Sequence, residues 1–367
     1  MSQFQPLIIG AGVAGLALAV GWQQAHGAAP FLCERAVAPG CQGLGFLLLP
    51  RGRRALQALG VDPCKELGGH PIDHARLVTL AGKTIAVHRF HAGTMALELP
   101  RLLAVLRQKL DAAKLLVGWP FEGLCHSQGR VEAVRFGGGR QMPADLVFGA
   151  DGAASRCRRA LLDRRNDQWT PGPLARVQEV VALAQDPWLA ARLGSGLLKV
   201  QDPGGGLAVG LLPLSSDRLV WFVQFDTARY GRPAPGALGS FLERLLVACP
   251  AWLQQTIAAS DRTARHWQPL DLDPQAKLVG PNLALLGDAA HPMLPFTSQG
   301  ANLALEDAWI LRDLLRDRRD PGEVTAALET YERLRLPLIR HYSLAGRSMA
   351  ATFVAPGPSL GMLPVAP

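Results

Sequence analysis

The stretch PLIIGAGVAG, residues 6–15, places a short apolar run directly before three closely spaced glycines. An apolar run ended by glycine is typical of a buried parallel strand, and a helix is expected to follow to about residue 25. Gly10 and Gly12 permit a tight turn and the close approach of a pyrophosphate, while Gly15 lets helix and strand pack closely. The stretch therefore predicts an α/β fold that begins with a Rossmann-type dinucleotide-binding unit.

A second predicted strand supports this interpretation. Residues 31–34 end in Glu34, 24 positions after Gly10, where a carboxylate can bind the hydroxyls of an adenosine ribose. FAD and NAD both fit such a site, so the two stretches alone leave the dinucleotide open.

Residues 283–308, LALLGDAAHPMLPFTSQGANLALEDA, predict a strand, a loop and a helix. Asp288 follows the strand, at the edge where parallel sheets collect ligands, and can accept hydrogen bonds from a polyol chain. Pro295 stiffens the loop, and Gln299 leads into the helix. The unpaired N–H groups and positive dipole end of that helix start can hold an electron-rich carbonyl.

A third stretch, residues 145–159, has the sequence DLVFGADGAASRCRR and predicts a buried strand followed by a helix. Asp151 and Gly152 stand between the two elements. Asp151 is compatible both with capping the helix and with contacting a cofactor.

These three stretches, in this order, resemble the single-component (class A) FAD-dependent monooxygenases, the p-hydroxybenzoate hydroxylase-like aromatic hydroxylases. The resemblance is carried by Gly10 to Gly15, by Glu34-Arg35, by Asp151-Gly152 and by the run from Gly287-Asp288 to Glu306-Asp307. It implies a Rossmann-type, glutathione reductase-like FAD-binding domain with an inserted β-sheet substrate domain. The Glu34-Arg35 pair favours FAD over NAD.

The resemblance also implies an activity. FAD is bound, a transient NADPH or NADH reduces it, and a C4a-hydroperoxyflavin formed with O₂ hydroxylates or epoxidises a small organic, by family default aromatic, substrate. Pro295 borders the isoalloxazine, and His291 is a candidate general base. Cofactor contacts are expected from Gly10, Gly12, Ala14, Gly15, Glu34, Arg35, Arg101, Asp151, Gly152, Gly287, Asp288, Pro295, Gln299, Gly300, Ala301 and Asn302.

The chain departs from the family pattern at three positions. Gly40 stands where the family has an arginine that reaches the FAD pyrophosphate, a role open to arginines 51, 53 or 54 instead. Leu99 stands where a second arginine is usual, which leaves Arg101 as a shifted replacement. Ser298 replaces a small glycine or alanine before the Gln-Gly pair.

The predicted domains are discontinuous. Residues 1–72, 95–170 and 268–320 are expected to form the FAD-binding domain, and residues 73–94 and 171–267 the substrate domain. Residues 321–350 predict a C-terminal helix, and residues 351–367 an irregular tail. In the predicted strand at residues 218–225, four alternate apolar residues share a face expected to cover the pocket: Leu219, Trp221, Val223 and Phe225.

Composition narrows the class of protein further. The 367 residues carry a net charge of +8, mostly from arginines interleaved with acids, and only 6% are aromatic, which argues against nucleic-acid binding. The six cysteines form no CxxC pair and His88 and His91 have no third ligand, so no metal site is expected. No leader or membrane span is apparent, so a soluble protein is expected, and the widely spaced cysteines favour a cytoplasmic location. We expect a monomer or a homodimer.

Two other functions fit the same residues. One is a non-hydroxylating FAD oxidoreductase of the same fold, and the other is a non-catalytic FAD-binding protein, which the departures at Gly40 and Leu99 would support.

Overall fold

The computed structural model describes residues 4–37, 44–162 and 174–355. Within these ranges the chain forms 18 strands, arranged in four sheets, and 10 α-helices. Gly40 and residues 356–367 of the predicted tail lie outside the described residues.

A five-stranded parallel sheet forms the centre of the predicted FAD-binding region. Its order is β18-β12-β1-β2-β8, and each neighbouring pair is parallel. The strands are β1 (Pro6–Ile9), β2 (Phe31–Glu34), β8 (Leu115–Val117), β12 (Leu146–Gly149) and β18 (Leu283–Leu285). The three stretches with the family motifs thus supply three adjacent strands, and their carboxyl ends meet at one edge.

Helices surround this sheet. The first, α1 (Val13–His26), is buried over most of its length and packs against α9 (Gly300–Leu315). Others are α2 (Pro50–Ala58), α3 (Leu99–Gln108), α4 (Arg156–Leu162) and α10 (Pro321–Val354).

A seven-stranded, mostly antiparallel sheet has the order β17-β13-β16-β15-β14-β5-β6. Its strands are β5 (His74–Thr79), β6 (Thr84–Arg89), β13 (Val177–Gln185), β14 (Gly196–Gln201), β15 (Leu207–Pro213), β16 (Arg218–Asp226) and β17 (Arg265–Trp267). Both segments assigned to the substrate domain therefore contribute to one sheet, although the domain boundaries stay a prediction.

The remaining elements are smaller. Two three-stranded sheets comprise β3 (Gly45–Leu48), β4 (His70–Pro71) and β7 (Met95–Glu98), and β9 (Phe121–Ser127), β10 (Arg130–Phe136) and β11 (Arg140–Pro143). The other helices are α5 (Pro187–Leu193), α6 (Thr227–Tyr230), α7 (Leu238–Leu245) and α8 (Ala251–Ala258).

The face of β16 that carries Trp221 and Phe225 does not cover the pocket, which corrects the sequence prediction. The Phe225 ring lies 5.0 Å from Phe241 of α7, and Trp221 Nε1 donates a hydrogen bond to Ser260, just after α8. Both faces of this sheet are buried, so the alternation of apolar residues could not identify which one faces the cofactor domain. We call the opposite face, which bears Phe222 and Gln224, the inner face.

The inner face packs against the predicted FAD-binding region. A side chain at Gly45 in β3 would come within 2.9 Å of Val220 Cγ2. Ala208 of β15 shares a small apolar cluster with Phe353 of α10 and with Phe296, which lies in the loop that contains Pro292 and Pro295; we call this segment the proline loop.

The last helix is longer than predicted. It runs to Val354 rather than to residue 350, because Phe353 is fully buried in that cluster and its packing continues the helix. Residues 351–354, which were predicted to belong to an irregular tail, are therefore helical. Among the described residues, no helix combines the length and the apolar character needed to cross a membrane.

Candidate cofactor and substrate site

The glycine loop after β1 has the geometry that its spacing predicts. Gly10 adopts φ +105°, and a Cβ on it would lie 2.3 Å from the carbonyl oxygen of Ala150. A Cβ on Gly15 would lie 1.9 Å from the oxygen of Gly10. Gly12 differs, because it is exposed and nothing lies within 4 Å of an added Cβ. Two glycines thus close the turn, and the third leaves room for a ligand at the start of α1.

Glu34 lies beside this loop. Its Oε2 accepts a hydrogen bond from the backbone N–H of Ala11 at 2.9 Å, and its Oε1 accepts one from Ala36 at 2.9 Å. A carboxylate has about four lone-pair positions, so Glu34 retains acceptor capacity for ribose hydroxyls. Arg35, the next residue, is exposed.

Asp288 stands at the end of β18. Gly287 before it has φ +58°, and its Cα approaches α1 so closely that an added Cβ would be 2.7 Å from Ala14 Cβ. The Asp288 side chain is exposed between two buried neighbours, and within the described residues no group donates a hydrogen bond to its carboxylate. Desolvation by the surrounding protein raises its pKa, against the nearby charges of His291 and Arg158. A carboxylate at this exposed position can accept hydrogen bonds from the hydroxyl groups of a ligand.

The start of α9 adjoins Asp288. Gln299 occupies the N-cap position, no side chain caps the helix, and no acid lies in its first turn. A Cβ on Gly300 would be 4.0 Å from Asp288 Oδ1. The N–H groups of Gly300 and Ala301 are therefore available beside the carboxylate.

The side chain of Asn302 is not available for the predicted cofactor contact. Its side chain is fully buried; its Oδ1 accepts from Leu49 N at 2.8 Å, and its Nδ2 donates to the oxygens of Leu47 and Ser298 at 2.9 and 2.8 Å. The amide is thus occupied by protein and holds the junction of β3 and α2 against α9. Only its backbone remains for the cofactor.

Asp151 caps α4. Its Oδ2 accepts hydrogen bonds from the N–H groups of Arg156 at 2.8 Å and Cys157 at 3.1 Å, and Ser155 Oγ donates to its Oδ1 at 2.5 Å. Gly152 has φ +82° and open space around it. The carboxylate of Asp151 therefore serves as a helix cap. At this turn, the backbone of Gly152 is the group that remains for a ligand contact.

Arg158 joins two of the motif turns and was not singled out from the sequence. Its buried guanidinium donates to the carbonyl oxygens of Ala289 at 2.9 Å and Asp288 at 3.2 Å, and also to that of Ala153. The only signal was the basic run at residues 156–159, in which nothing distinguishes Arg158 from its neighbours.

His291 does not face the open site. Its side chain is fully buried, and its Nε2 lies 2.6 Å from Asp307 Oδ2. Its Nδ1 is buried as well, with no hydrogen-bond partner among the described residues. The predicted role as a general base is therefore not supported, because a catalytic base must reach the proton that it abstracts.

His291 belongs to a chain of charges that we call the α9 network. Arg335 Nε donates to Asp307 Oδ1 at 2.7 Å and its Nη1 to Glu306 Oε2 at 2.9 Å, while Arg51 reaches Glu306 at 3.0 Å. Asp307 also accepts the N–H of Gly287 at 2.9 Å. Burial opposes its charge, but Arg335 and His291 lower the pKa of Asp307 to about 2. The network holds the turn before Asp288 in place.

Arg335 was also missed. It is fully buried, and it shares a helical face with Leu328, Tyr331 and Ile339, which are buried too. Its position on an apolar face was the available signal, because an arginine there must find acids.

Arg101 is not a replacement for the arginine absent at Leu99. Its Nε donates to the carbonyl oxygen of Glu66 at 3.2 Å, and its guanidinium lies beside Gly68. Leu99 begins α3, so Arg101 is two positions further along the helix and points elsewhere.

The proline loop contains a strained residue. Pro295 begins a short 3₁₀ turn that ends at Thr297, and Ser298 follows with φ +53°. This left-handed conformation costs a non-glycine residue roughly 1 kcal/mol. The departure from the family therefore falls where the backbone favours glycine.

Three polar side chains lie next to one another on the inner face: Glu179, Gln224 and Lys199. We call them the sheet triad. Lys199 Nζ donates to Gln224 Oε1 at 2.6 Å, and Gln224 Nε2 donates to Glu179 Oε1 at 2.6 Å. Burial raises the pKa of Glu179 to about 7 and lowers that of Lys199 to about 8. The Lys199 ammonium also lies 5.5 Å from the ring centroids of both Phe296 and Phe353. Since Phe296 follows Pro295, the triad adjoins the proline loop.

Comparison with known proteins agrees with this geometry. Residues 3–343 match the protein family described as an FAD binding domain. A 3-amino-4-hydroxybenzoate 2-monooxygenase of Streptomyces platensis is 31% identical over 368 residues, covering 95% of this chain and 88% of the relative.

Solved structures are similar too. PqsL of Pseudomonas aeruginosa, a probable FAD-dependent monooxygenase, superimposes with a TM-score of 0.80 at 25% identity and covers 98% of this chain and 99% of its own. Klebsiella pneumoniae HpxO, solved with FAD and uric acid, has a TM-score of 0.81 at 23% identity, over 95% and 89% of the two chains. Neither the non-catalytic protein nor the non-hydroxylating oxidoreductase is supported: the chain belongs to the single-component FAD-dependent monooxygenases.

Proposed function

We propose that this enzyme hydroxylates a small, acidic aromatic compound, using FAD, O₂ and a nicotinamide donor. The observation that carries the proposal is the exposed carboxylate of Asp288, which accepts no hydrogen bond from any described residue, beside the uncapped start of α9. An acid and a row of N–H donors in one place suit the ribityl hydroxyls and the pyrimidine carbonyls of a flavin.

The residues present fit FAD. We assign the pyrophosphate to the open space at Gly12, the adenosine ribose to Glu34 and the ribityl chain to Asp288. Pro295 would border the ring, and the N–H groups of Gly300 and Ala301 would stabilise negative charge at its pyrimidine end. When bound, FAD supplies the redox chemistry and the activation of O₂, while the protein orients the substrate and excludes water.

The substrate class follows from the inner face. Lys199 is a buried cation next to the proline loop. Among the residues that the structure describes, no carboxylate forms an ion pair with it, because Gln224 separates it from Glu179. A carboxylate or phenolate on the substrate would supply that missing contact and favour the charged ammonium. A relative acts on 3-amino-4-hydroxybenzoate, which carries both groups.

The described chain has one glycine-rich dinucleotide-binding unit, which we assign to FAD. The nicotinamide donor therefore has no such unit of its own and must bind transiently. Five cysteines in the described residues are free thiols, which is consistent with the cytoplasmic location that we propose.

Two measurements test the proposal. Flavin released by heat and separated by chromatography should be FAD, and recovery of FMN alone would reject the adenosine site. With candidate aminohydroxybenzoates, NADH or NADPH oxidation should consume O₂ in step with hydroxylated product. Donor oxidation without product in every case would reject hydroxylation of this substrate class.

The cofactor assignment is tested by Asp288→Ala. Loss of charge-assisted hydrogen bonds worth roughly 1.5–3 kcal/mol should weaken FAD binding by one to two orders of magnitude. Asp317→Ala removes an exposed carboxylate from the loop after α9 and is the matched control. Equal FAD affinity in both variants would show that Asp288 does not hold the cofactor.

A further inference from the structure

A cavity of about 480 Å³ lies beside the proposed flavin position, between the start of α2, the loop joining β6 to β7, and Gln299. Small-molecule sites typically enclose about 300–1,000 Å³. The groups to which we assign parts of FAD do not line this space, and neither does the sheet triad, so it is free for another ligand.

The cavity is cationic. Arg51, Arg53, Arg54 and His91 line it. Arg51 is held by Glu306, whereas Arg54 makes no ion pair or hydrogen bond among the described residues. The Arg53 guanidinium lies against Gly93, 2.8 Å from where a Cβ would stand, and within the described ranges it makes no ion pair; Asp62 lies close enough to feel its charge. At least two guanidinium groups are therefore available to an anion.

The start of α2 adds to this field. Leu49 and Pro50, which begin the helix, line the cavity, no side chain caps the helix, and no acid lies in its first turn. The positive end of the helix dipole therefore acts in the same direction as the arginines. Phe90 and Leu49 provide apolar walls on which a planar ring can rest.

The position of the cavity connects it to the redox site. Gln299 lines it and also precedes α9, whose first N–H groups we assign to the pyrimidine end of the flavin. A ligand in the cavity is thus adjacent to the flavin ring without crossing the inner face.

We propose that this cavity docks the transient nicotinamide dinucleotide, with its phosphates on Arg53 and Arg54 and its nicotinamide directed to Gln299. The inference rests on the proposed donor dependence of the enzyme. Several cations and a helix start suit a ligand with two or more phosphates, whereas a small aromatic acid needs one cation, which Lys199 provides on the inner face.

The test replaces Arg53 and Arg54 together by glutamine in the FAD-loaded enzyme. Binding of NADP⁺ and NAD⁺, measured by calorimetry, should weaken by about tenfold or more, as expected when two charge-assisted contacts are lost. Flavin reduction at subsaturating NADPH or NADH, followed by stopped-flow absorbance, should slow by the same factor. Arg316→Gln with Arg319→Gln removes the same charge at the exposed end of α9 and should leave both measurements at the parent level.

The outcomes separate the possibilities. Unchanged nucleotide affinity in the Arg53, Arg54 variant would overturn the inference, as would an equal loss in the Arg316, Arg319 control. Loss of FAD or of substrate affinity, with nucleotide affinity retained, would assign the arginines to those ligands instead. A parent that bound neither nucleotide would overturn the inference, whereas a parent that bound them without hydroxylating any acid would refute only the proposed substrate.

Discussion

The α9 network and the sheet triad are both buried sets of charged groups beside the proposed cofactor site, yet their charges are held differently. In the α9 network Arg335 touches two carboxylates directly, at 2.7 and 2.9 Å, and the pKa of Asp307 falls to about 2. In the sheet triad the amide of Gln224 stands between Lys199 and Glu179, and their pKa values move to about 8 and about 7.

Direct contact between opposite charges therefore outweighs desolvation in the first set but not in the second. A buried pair in contact keeps its charges at any ordinary pH, whereas a separated pair can exchange protons near neutrality. The first arrangement suits a scaffold that must hold Gly287 and Asp288 still. The second suits a surface that adapts its charge to an incoming substrate.

The largest expected effect comes from Asp307→Asn. It removes one of the two carboxylates that neutralise Arg335 and leaves Glu306, which is shared with Arg51, as the remaining one, so the free energy of unfolding should fall by roughly 3–5 kcal/mol. Urea denaturation at pH 7 measures this loss. Replacing Asp307 by leucine and Arg335 by methionine together should recover much of it, because Arg335 is then no longer a buried charge short of a partner and Glu306 keeps its ion pair with Arg51. A single variant as stable as the parent would mean that the network does not fix the scaffold.

The pH dependence of stability should come next. The stability that Glu179 contributes is fully present below pH 4.5 and is lost as the pH rises to 7, because its folded pKa is raised. The stability that Lys199 contributes is fully present above pH 10.5 and is lost as the pH falls to 8, because the pKa of Lys199 is lowered in the folded state. Comparing denaturation of the parent with that of Glu179→Gln between pH 4.5 and 7 should reveal a decline on the order of 2–3 kcal/mol in the parent that the variant lacks. Parallel curves would place the pKa of Glu179 at its ordinary value.

Lys199→Met should cost less than Asp307→Asn. Glu179 can take up a proton when its distant cation is removed, so the loss of stability at pH 7 should be roughly 1 kcal/mol, the value of one hydrogen bond. Thermal unfolding measures the loss, and substrate titration should show that affinity for an acidic aromatic compound drops while FAD retention does not. A loss as large as that of Asp307→Asn would erase the distinction between the two sets.

The smallest effect is expected for Arg51→Ala. Its side chain is about half exposed, and Glu306 keeps its contact with Arg335, so stability should change by at most about 1 kcal/mol. A salt titration of the unfolding midpoint checks the reason, since a screened surface pair should weaken with salt and the inner part of the network should not.

The sequence motifs were sufficient to predict most of the fold and of the proposed cofactor site. The glycines at 10, 12 and 15 and the strand endings at Glu34 and Asp288 were identified because each requirement is local: a positive φ, a close backbone approach or an acid at a strand end. These local requirements placed the parallel sheet and the edge at which FAD is proposed to bind.

Contacts between distant segments were not predictable in the same way. Asn302 and His291 lie within the motif stretch, but their partners come from β3, α2 and α9 itself, and the fold alone turns them away from the site. Arg335 joins the network from 28 residues beyond Asp307. Trp221 and Phe225 lie on the face of their sheet that packs towards Ser260 and α7, and the sequence could not show this because both faces are buried.

The sequence by itself determines short-range backbone geometry, because the residues that this geometry constrains are neighbours in the chain. Which buried side is the inner face, and which charges touch, depends on how whole elements pack, and so only the tertiary structure decided where Lys199 and Arg335 lie.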